Sequence, residues 1–278
     1  MNTIYHAQGF WNGLLRRPAW HLREYLRNAE YRALHRFAGK LARLSRHTRC
    51  KVEYEGIVIE LCDGPSFLSA WDEIFVNKIY EVPVRTGEIP VLVDAGANIG
   101  LAALFWKRTY GNFHYLGFEP DPTIAACCRR NLASWGVEGR LEELALAKSE
   151  GSRNFQPDGA DGGHLSDADG GANPGVFVKA GRLSQRLPEQ VDLLKIDVEG
   201  AEAEVLEDIL PCLPRVRNLF VEWHSRSGAN GLGRVITHLE EAGFNCHVQV
   251  AVGQGQPFMR PEVAGAFFQN LNLYAVRP

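Results

Sequence analysis

An α/β protein built on one doubly wound, mostly parallel sheet is the fold class this 278-residue sequence predicts, with a helical extension before the sheet. The run Val91-Leu-Val-Asp-Ala-Gly-Ala-Asn-Ile-Gly100 has the form of a buried strand that breaks into a glycine-rich turn and opens a helix. Beyond it, short apolar runs alternate with helix-length amphipathic ones, the mark of crossover connections in a parallel sheet. Two last strand-like runs, Phe244–Val252 and Asn270–Val276, follow one another with no helix between them and predict an antiparallel hairpin. A ligand crevice in such a sheet lies at the carboxyl ends of its strands.

The elements follow in order. Pro18 separates an opening segment, holding Trp11 and Leu14, from a longer helix. That helix places Leu22, Tyr25, Leu26, Leu34, Phe37, Leu41 and Leu44 at helical spacing, with Arg23, Arg27, Arg32, Arg36, Lys40, Arg43 and Arg46 interleaved. Residues 1–50 are therefore assigned to a basic amphipathic extension and 51–278 to one domain. Lys51 to Leu61 alternates around Gly56 as a hairpin does, and Phe67–Tyr80 is expected to be a helix leading through Pro83 and Pro90 to the glycine turn. Next come a strand at Val91–Val93, a helix at Ile99–Tyr110, a strand at His114–Phe118 and a helix opening at Asp121-Pro122, where aspartate caps and proline suits the first turn. Leu141–Ala147 and Val191–Ile196 are expected strands, Ala201–Leu210 a helix, Asn218–Trp223 a strand and Gly233–Ala242 a helix. Pro157–Gly175, rich in Asp, Gly and Ala, predicts a mobile loop. Beside a site it would act as a lid, with Gly163-His164-Leu165-Ser166 the part to watch. It lacks the ligand ladder of a calcium hand.

Composition narrows the class. Six cysteines, Cys50, Cys62, Cys127, Cys128, Cys212 and Cys246, form no C-x-x-C pair and no zinc-spaced cluster, as expected of reduced thiols in a cytoplasmic protein. Neither a cleavable leader nor an apolar run of membrane-spanning length is expected. The net charge of −3 conceals a division: residues 1–51 hold eleven Lys and Arg against Glu24 and Glu30, a net of +9, which leaves −12 in the remainder. A basic amphipathic helix is a solvated outer face, a contact for an anionic membrane, or a nucleic-acid contact. No nucleic-acid module accompanies it, so nucleic acid is not expected, and peripheral membrane contact through residues 1–48 stays open. Oligomeric state has no signal in the sequence.

The chemistry concentrates at strand ends. Gly96 and Gly100 remove side chains that would obstruct a ligand's approach to backbone, and Asn98 tolerates left-handed geometry. A dinucleotide fingerprint G-x-G-x-x-G starting at Gly96 would need glycine where Asn98 and Leu101 stand, so nicotinamide and flavin are excluded. Glu119 lies 23 residues after Gly96 at the end of the next strand, the spacing at which nucleotide-binding folds set an acid against ribose hydroxyls, and Pro120 stiffens it. Val191-Asp-Leu-Leu-Lys-Ile-Asp-Val-Glu-Gly-Ala-Glu202 delivers Asp197 and Glu199 to the same sheet edge. Lys195 shares a face with Asp197, close enough for an ion pair. Leu219-Phe-Val-Glu-Trp-His224 adds Glu222 and His224.

The remaining pattern D-x-G-x-N-x-G, from Asp94 to Gly100, resembles the first motif of class I S-adenosylmethionine-dependent methyltransferases with its middle glycine replaced by asparagine. Together with Phe118-Glu-Pro120, Lys195-Ile-Asp-Val-Glu-Gly-Ala-Glu202 and Val221-Glu-Trp-His224, it makes residues 50 to 278 resemble the FkbM-type family of those enzymes. The resemblance implies a Rossmann-like class I methyltransferase domain with S-adenosylmethionine as donor and S-adenosylhomocysteine as product. It also implies a hydroxyl acceptor on a small molecule, a sugar or glycan, or a lipid. Asp94, Gly96, Ala97, Asn98 and Gly100 are then expected around the aminoacyl and ribose groups, Glu119 and Pro120 at the ribose, and Ala145 and Leu146 at the adenine edge. His224 is the first candidate base because imidazole titrates near neutrality, Asp197 could serve instead if the acceptor were already polarised, and Glu222 completes the catalytic set. A magnesium or manganese ion on Asp197, Glu222 and His224 is the less favoured alternative. Two other functions remain in view. Methylation of nitrogen in a macromolecule has no Asn-Pro-Pro-aromatic motif behind it, Asn173-Pro174-Gly175 being only a turn. The other is a non-catalytic cofactor-binding module tethered by its basic helix.

Overall fold

The computed structural model describes residues 18–85, 87–165, 175–226, 231–252 and 267–278. The opening segment with Trp11 and Leu14, most of the stretch after Leu165 in the Asp/Gly loop, and residues 253–266 lie outside the described residues. The expected long basic helix is two helices, α1 (Pro18–Arg27) and α2 (Ala29–Leu41). They divide at Asn28, which leaves helical geometry and accepts a hydrogen bond from Tyr31 N–H, so a cap interrupts what apolar spacing alone makes continuous. The two helices differ in burial. In α2, Tyr31, Ala33, Leu34, Phe37 and Leu41 are buried, whereas α1 leaves Leu22, Tyr25 and Leu26 exposed.

Strands β1 (Cys50–Tyr54) and β2 (Ile57–Leu61) form the expected hairpin, with Glu55 and Gly56 both at positive φ, as a tight two-residue turn requires. Helix α3 (Gly64–Trp71) begins before the expected Phe67, because Asp63 caps it through Ser66 N–H and Pro65 suits its first turn. It does not run on as α-helix to Tyr80. Asp72–Val76 is a π-helical turn. Phe37 of α2 meets Trp71 and Phe67 with ring centroids 4.9 and 5.2 Å apart, and Trp71 Nε1 donates to Glu30 O, so α2 belongs to the same core as the hairpin and α3.

The remaining elements are β3 (Val91–Ala95), α4 (Leu101–Tyr110), β4 (His114–Phe118), α5 (Pro122–Ser134), β5 (Gly139–Glu142), β6 (Ala145–Leu146), β7 (Gly151–Gln156), β8 (His164–Leu165), β9 (Val176–Gly181), β10 (Val191–Ile196), α6 (Glu202–Ile209), β11 (Val216–Arg226), α7 (Leu232–Glu241), β12 (Asn245–Val252) and β13 (Phe267–Val276). Seven strands make the main sheet in the order β12-β13-β11-β10-β3-β4-β5. It is parallel from β11 to β5, and β13 lies antiparallel between β11 and β12. The expected strand Leu141–Ala147 divides after Glu142, where its ladder with β4 stops at Phe118; Ala145–Leu146 then joins a second sheet, β6-β9-β7-β8. Strands β7 and β9 were not expected: in Gly-Ser-Arg-Asn-Phe-Gln only Phe155 is buried, so the run carries no alternation to read.

Alternation across β10 sets up the site. Leu194 and Ile196 enter one core with Val93, Val221 and Leu273, while Leu193 enters the other with Tyr80, Trp106 and Phe220. Lys195 is on the Leu193 side and is buried there. All six cysteines are unpaired thiols. Among the described residues, no helix is long and apolar enough to cross a membrane.

Candidate functional site

The glycine turn is fastened to the end of β4: the N–H groups of Gly96 and Ala97 both donate to Phe118 O, at 3.0 and 2.8 Å. Gly96, Asn98 and Gly100 all have positive φ. A Cβ on Gly96 would lie 1.8 Å from Asp197 O, so this glycine first lets the ends of β3 and β10 close on each other. Glu119 bridges strand and turn. Its Oε2 accepts from Asn98 N–H and its Oε1 from Asp121 N–H, each at 2.9 Å. Burial lifts this carboxyl to about 7 although both backbone bonds favour the charged form.

A cavity opens beside Glu119. Gly96, Asn98, Glu119 and Pro120 line its polar side, and Ile124, Leu144, Ala145 and Leu146 an apolar side. Asp94, Ala97 and Gly100 do not line it. Asp94 is fully buried beneath the turn, where Tyr115 Oη donates to it at 3.2 Å and Lys195 Nζ lies 3.1 Å away. Burial raises the Asp94 carboxyl, and Lys195 offsets part of that rise. The near end of the Asp/Gly loop sits over the cavity through Ala160, Gly163, His164 and Leu165, and Asn98 Nδ2 donates to Ala160 O. Ser166 lies outside the described residues.

Across the crevice Asp197 and Glu199 line the cavity, with a network of further ionisable side chains packed against them. Lys195 Nζ donates to Gly96 O at 2.6 Å and lies 3.4 Å from Asp197 Oδ2, the pair expected from strand alternation. Burial opposes its charge, yet Asp94 and Asp197 outweigh that and raise it above the ordinary lysine value. His224 Nδ1 is 2.9 Å from Glu202 Oε1, which also accepts Gly200 N–H. Its Nε2 is 3.4 Å from Glu199 Oε2 and 3.8 Å from Glu222 Oε1. Burial disfavours the imidazolium, but Glu202 and Glu199 overcome it and raise His224 well above the ordinary histidine range. Glu222, which accepts from Asn270 Nδ2, is lifted to about 7 by burial and by repulsion from Asp197.

Asp197, Glu199 and His224 each offer a ligand atom, all within 4.8 Å of one another. This trio differs from the less favoured ion-ligating alternative of the sequence, Asp197, Glu222 and His224, by having Glu199 where that set has Glu222. Positive φ at Glu199, before Gly200, puts the chain into a tight turn there that leaves the Glu199 carboxylate beside His224 Nε2. Sequence reasoning also missed Glu73 on the π-helical turn, whose carboxyl burial and the nearby Glu222 and Asp197 lift to about 8. Helical periodicity gives no hint of it, since a π turn changes which way a side chain faces. Glu202 stood inside a motif already singled out, and its partnership with His224 needed the fold.

Comparison with known proteins agrees with this geometry. The Methyltransferase FkbM domain family matches residues 94–246. Methyltransferase sdnD of Sordaria araneosa is 31% identical over 212 residues, covering 63% of this chain and 81% of that protein. The 31-O-demethyl-FK506 methyltransferase FkbM of Streptomyces tacrolimicus is 30% identical over 212 residues, covering 62% and 79%. The 2-O-methyltransferase NoeI of Sinorhizobium fredii is 30% identical over 154 residues, covering 48% and 63%. With a glycine turn tied to β4, a buried acid beside a half-apolar cavity, and the carboxylates of Asp197 and Glu199 just after β10 lining the same cavity, the chain belongs to the FkbM methyltransferase family.

Proposed function

We propose that this methyltransferase moves a methyl group from S-adenosylmethionine to a hydroxyl oxygen of a small molecule, a sugar or a lipid. The observation that carries this reading is Glu119, a buried carboxylate between Asn98 and a wall of Ile124, Leu144, Ala145 and Leu146. Such a cavity fits a ribose on its polar side and an adenine on its apolar side. Two relatives named for O-methyl transfer support the acceptor atom. The cofactor, when bound, supplies a methyl group on a sulfonium and leaves as S-adenosylhomocysteine.

The protein's part is positioning and proton removal. Each Glu119 oxygen spends one lone pair on a backbone N–H and keeps capacity for a ribose hydroxyl. Lys195 ties Asp94, Gly96 O and Asp197 into one unit, which holds the turn against the carboxylate wall. Holding donor and acceptor in line is worth several kcal/mol of barrier, on the order of 7–11 at best. The acceptor's proton passes to Glu222 rather than to His224. Both His224 nitrogens are already engaged, Nδ1 by Glu202 and Nε2 by Glu199, whereas a carboxyl lifted to about 7 is poised to take a proton at neutral pH. Asp197 orients the acceptor. Calorimetry with S-adenosylhomocysteine tests the donor assignment: one molecule binds per chain, and Glu119→Ala weakens it by about tenfold or more. Unchanged binding in that variant would overturn it.

A second surface bears on where the enzyme works. Leu22, Tyr25 and Leu26 of α1 are 61%, 45% and 68% exposed at i, i+3 and i+4 spacing, flanked by Arg23 and Arg27. We propose that this stripe rests on an anionic membrane, with arginines at headgroup level. Deleting residues 1–48 would strip α2 from the core, so the sound test is Leu22→Glu with Leu26→Glu. Cosedimentation with phosphatidylserine vesicles should fall severalfold in the double variant, and equal binding would discard the idea.

A further inference from the structure

We infer that Asp197, Glu199 and His224 form a divalent-cation site at the acceptor end of the crevice, suited to manganese or magnesium. The three ligand atoms lie within 4.8 Å of one another, and His224 Nε2 is 3.4 Å from Glu199 Oε2. Bonds of about 2.1 Å in an octahedral set put ligand atoms about 3 Å apart when adjacent and about 4.2 Å apart when opposite, so the three atoms close on one ion by drawing together slightly. Imidazole with two carboxylates and open positions suits a first-row ion better than calcium.

The surroundings are those of a metal ligand. Glu202, itself buried, faces His224 Nδ1 at 2.9 Å and is anchored by Gly200 N–H, so Nδ1 keeps its proton and Nε2 is the nitrogen presented to the carboxylates. An ion and the Nε2 proton compete for the same lone pair. A separate observation lies one strand away. Asn272 pairs with Glu222 across β11 and β13, as Asn270 pairs with His224, which puts these side chains on one sheet face. Asn272 is 6% exposed, and its Oδ1 has no hydrogen-bond partner among the described residues. A water or hydroxyl held by an ion beside Glu222 is the donor this oxygen lacks.

The role of the ion rests on the O-methyl transfer reading; its binding does not. By taking the acceptor's hydroxyl oxygen as a ligand, the ion lowers that group's pKa. The O–H proton passes to Glu222, an oxygen lone pair forms the O–CH3 bond, and the S–CH3 bond breaks with its electron pair left on sulfur.

Manganese titration followed by electron paramagnetic resonance tests the site. The wild-type chain should bind one Mn2+, and spin-echo modulation should report one directly coordinated imidazole nitrogen, a readout that needs no variant. Glu199→Gln and Asp197→Asn should each weaken Mn2+ by at least about tenfold, with thermal melting confirming folded protein. No binding up to about 1 mM, or no nitrogen modulation, or wild-type affinity in both variants would overturn the proposal. Binding of S-adenosylhomocysteine to the wild type is read separately: its loss would sink the donor reading and leave the manganese result standing.

Discussion

The two walls of the crevice are held by different chemistry. On the β3–β4 side the geometry is set by the main chain: two N–H groups on Phe118 O, two more on Glu119, and positive φ at Gly96, Asn98 and Gly100. On the β10–β11 side it is set by side chains, with Lys195 and His224 among Asp94, Asp197, Glu199, Glu202 and Glu222. A backbone wall has one shape, and its cost is steric. A wall of charges has several protonation states, and its cost is electrostatic, so it responds to pH and to whatever cation enters.

Substitutions can break each wall in its own way. Gly96→Ala should be the most damaging, because the new methyl meets Asp197 O in the main chain and the residue sits at a φ of 95°. A loss of about 4 kcal/mol or more, enough to leave little folded protein, is expected in urea unfolding. Lys195→Met comes next. It strands Asp94 beneath the turn and should cost about 3 kcal/mol, measured the same way. Its loss should shrink at low pH, as Asp94 becomes neutral.

Glu73→Gln should have the smallest effect and the opposite sign. The Glu73 carboxyl is raised from about 4.5 in the unfolded chain to about 8 in the folded one, so the folded state holds its proton more tightly. Stability from that proton is present below about 4.5 and is lost as pH rises to 8. The variant should therefore melt like wild type at pH 4 and be more stable by about 1 kcal/mol at pH 8, discounted for partial exposure. A stabilisation independent of pH would show that Glu73 is not in the charged wall.

The same division explains what could be read from the sequence. The backbone wall was legible because its needs are local: a strand, glycines at fixed offsets, and Glu119 at a set spacing. Even there Asp94 is placed behind the cavity, since D-x-G-x-N-x-G does not say which face the aspartate takes. In the charged wall, Asp197, Glu222 and His224 were legible as strand-end residues. Their partners were not, because Glu199 depends on one left-handed residue, Glu202 on a cap geometry, and Glu73 on a π turn. Elements failed for similar reasons. Asn28 breaks a helix that apolar spacing joins, and β7 carries too few apolar residues for alternation to show.

The π-helical turn at Asp72–Val76 has a consequence for how such an enzyme changes its acceptor. A π turn holds one residue more than an α turn, so deleting a single residue there restores α spacing with the flanking segments close to their present orientation and changes only which side chains of the turn face the crevice. Glu73 would swing off the crevice while every strand of the sheet stayed in place. One codon gained or lost in this turn is thus a route to a different pocket that leaves the donor side untouched.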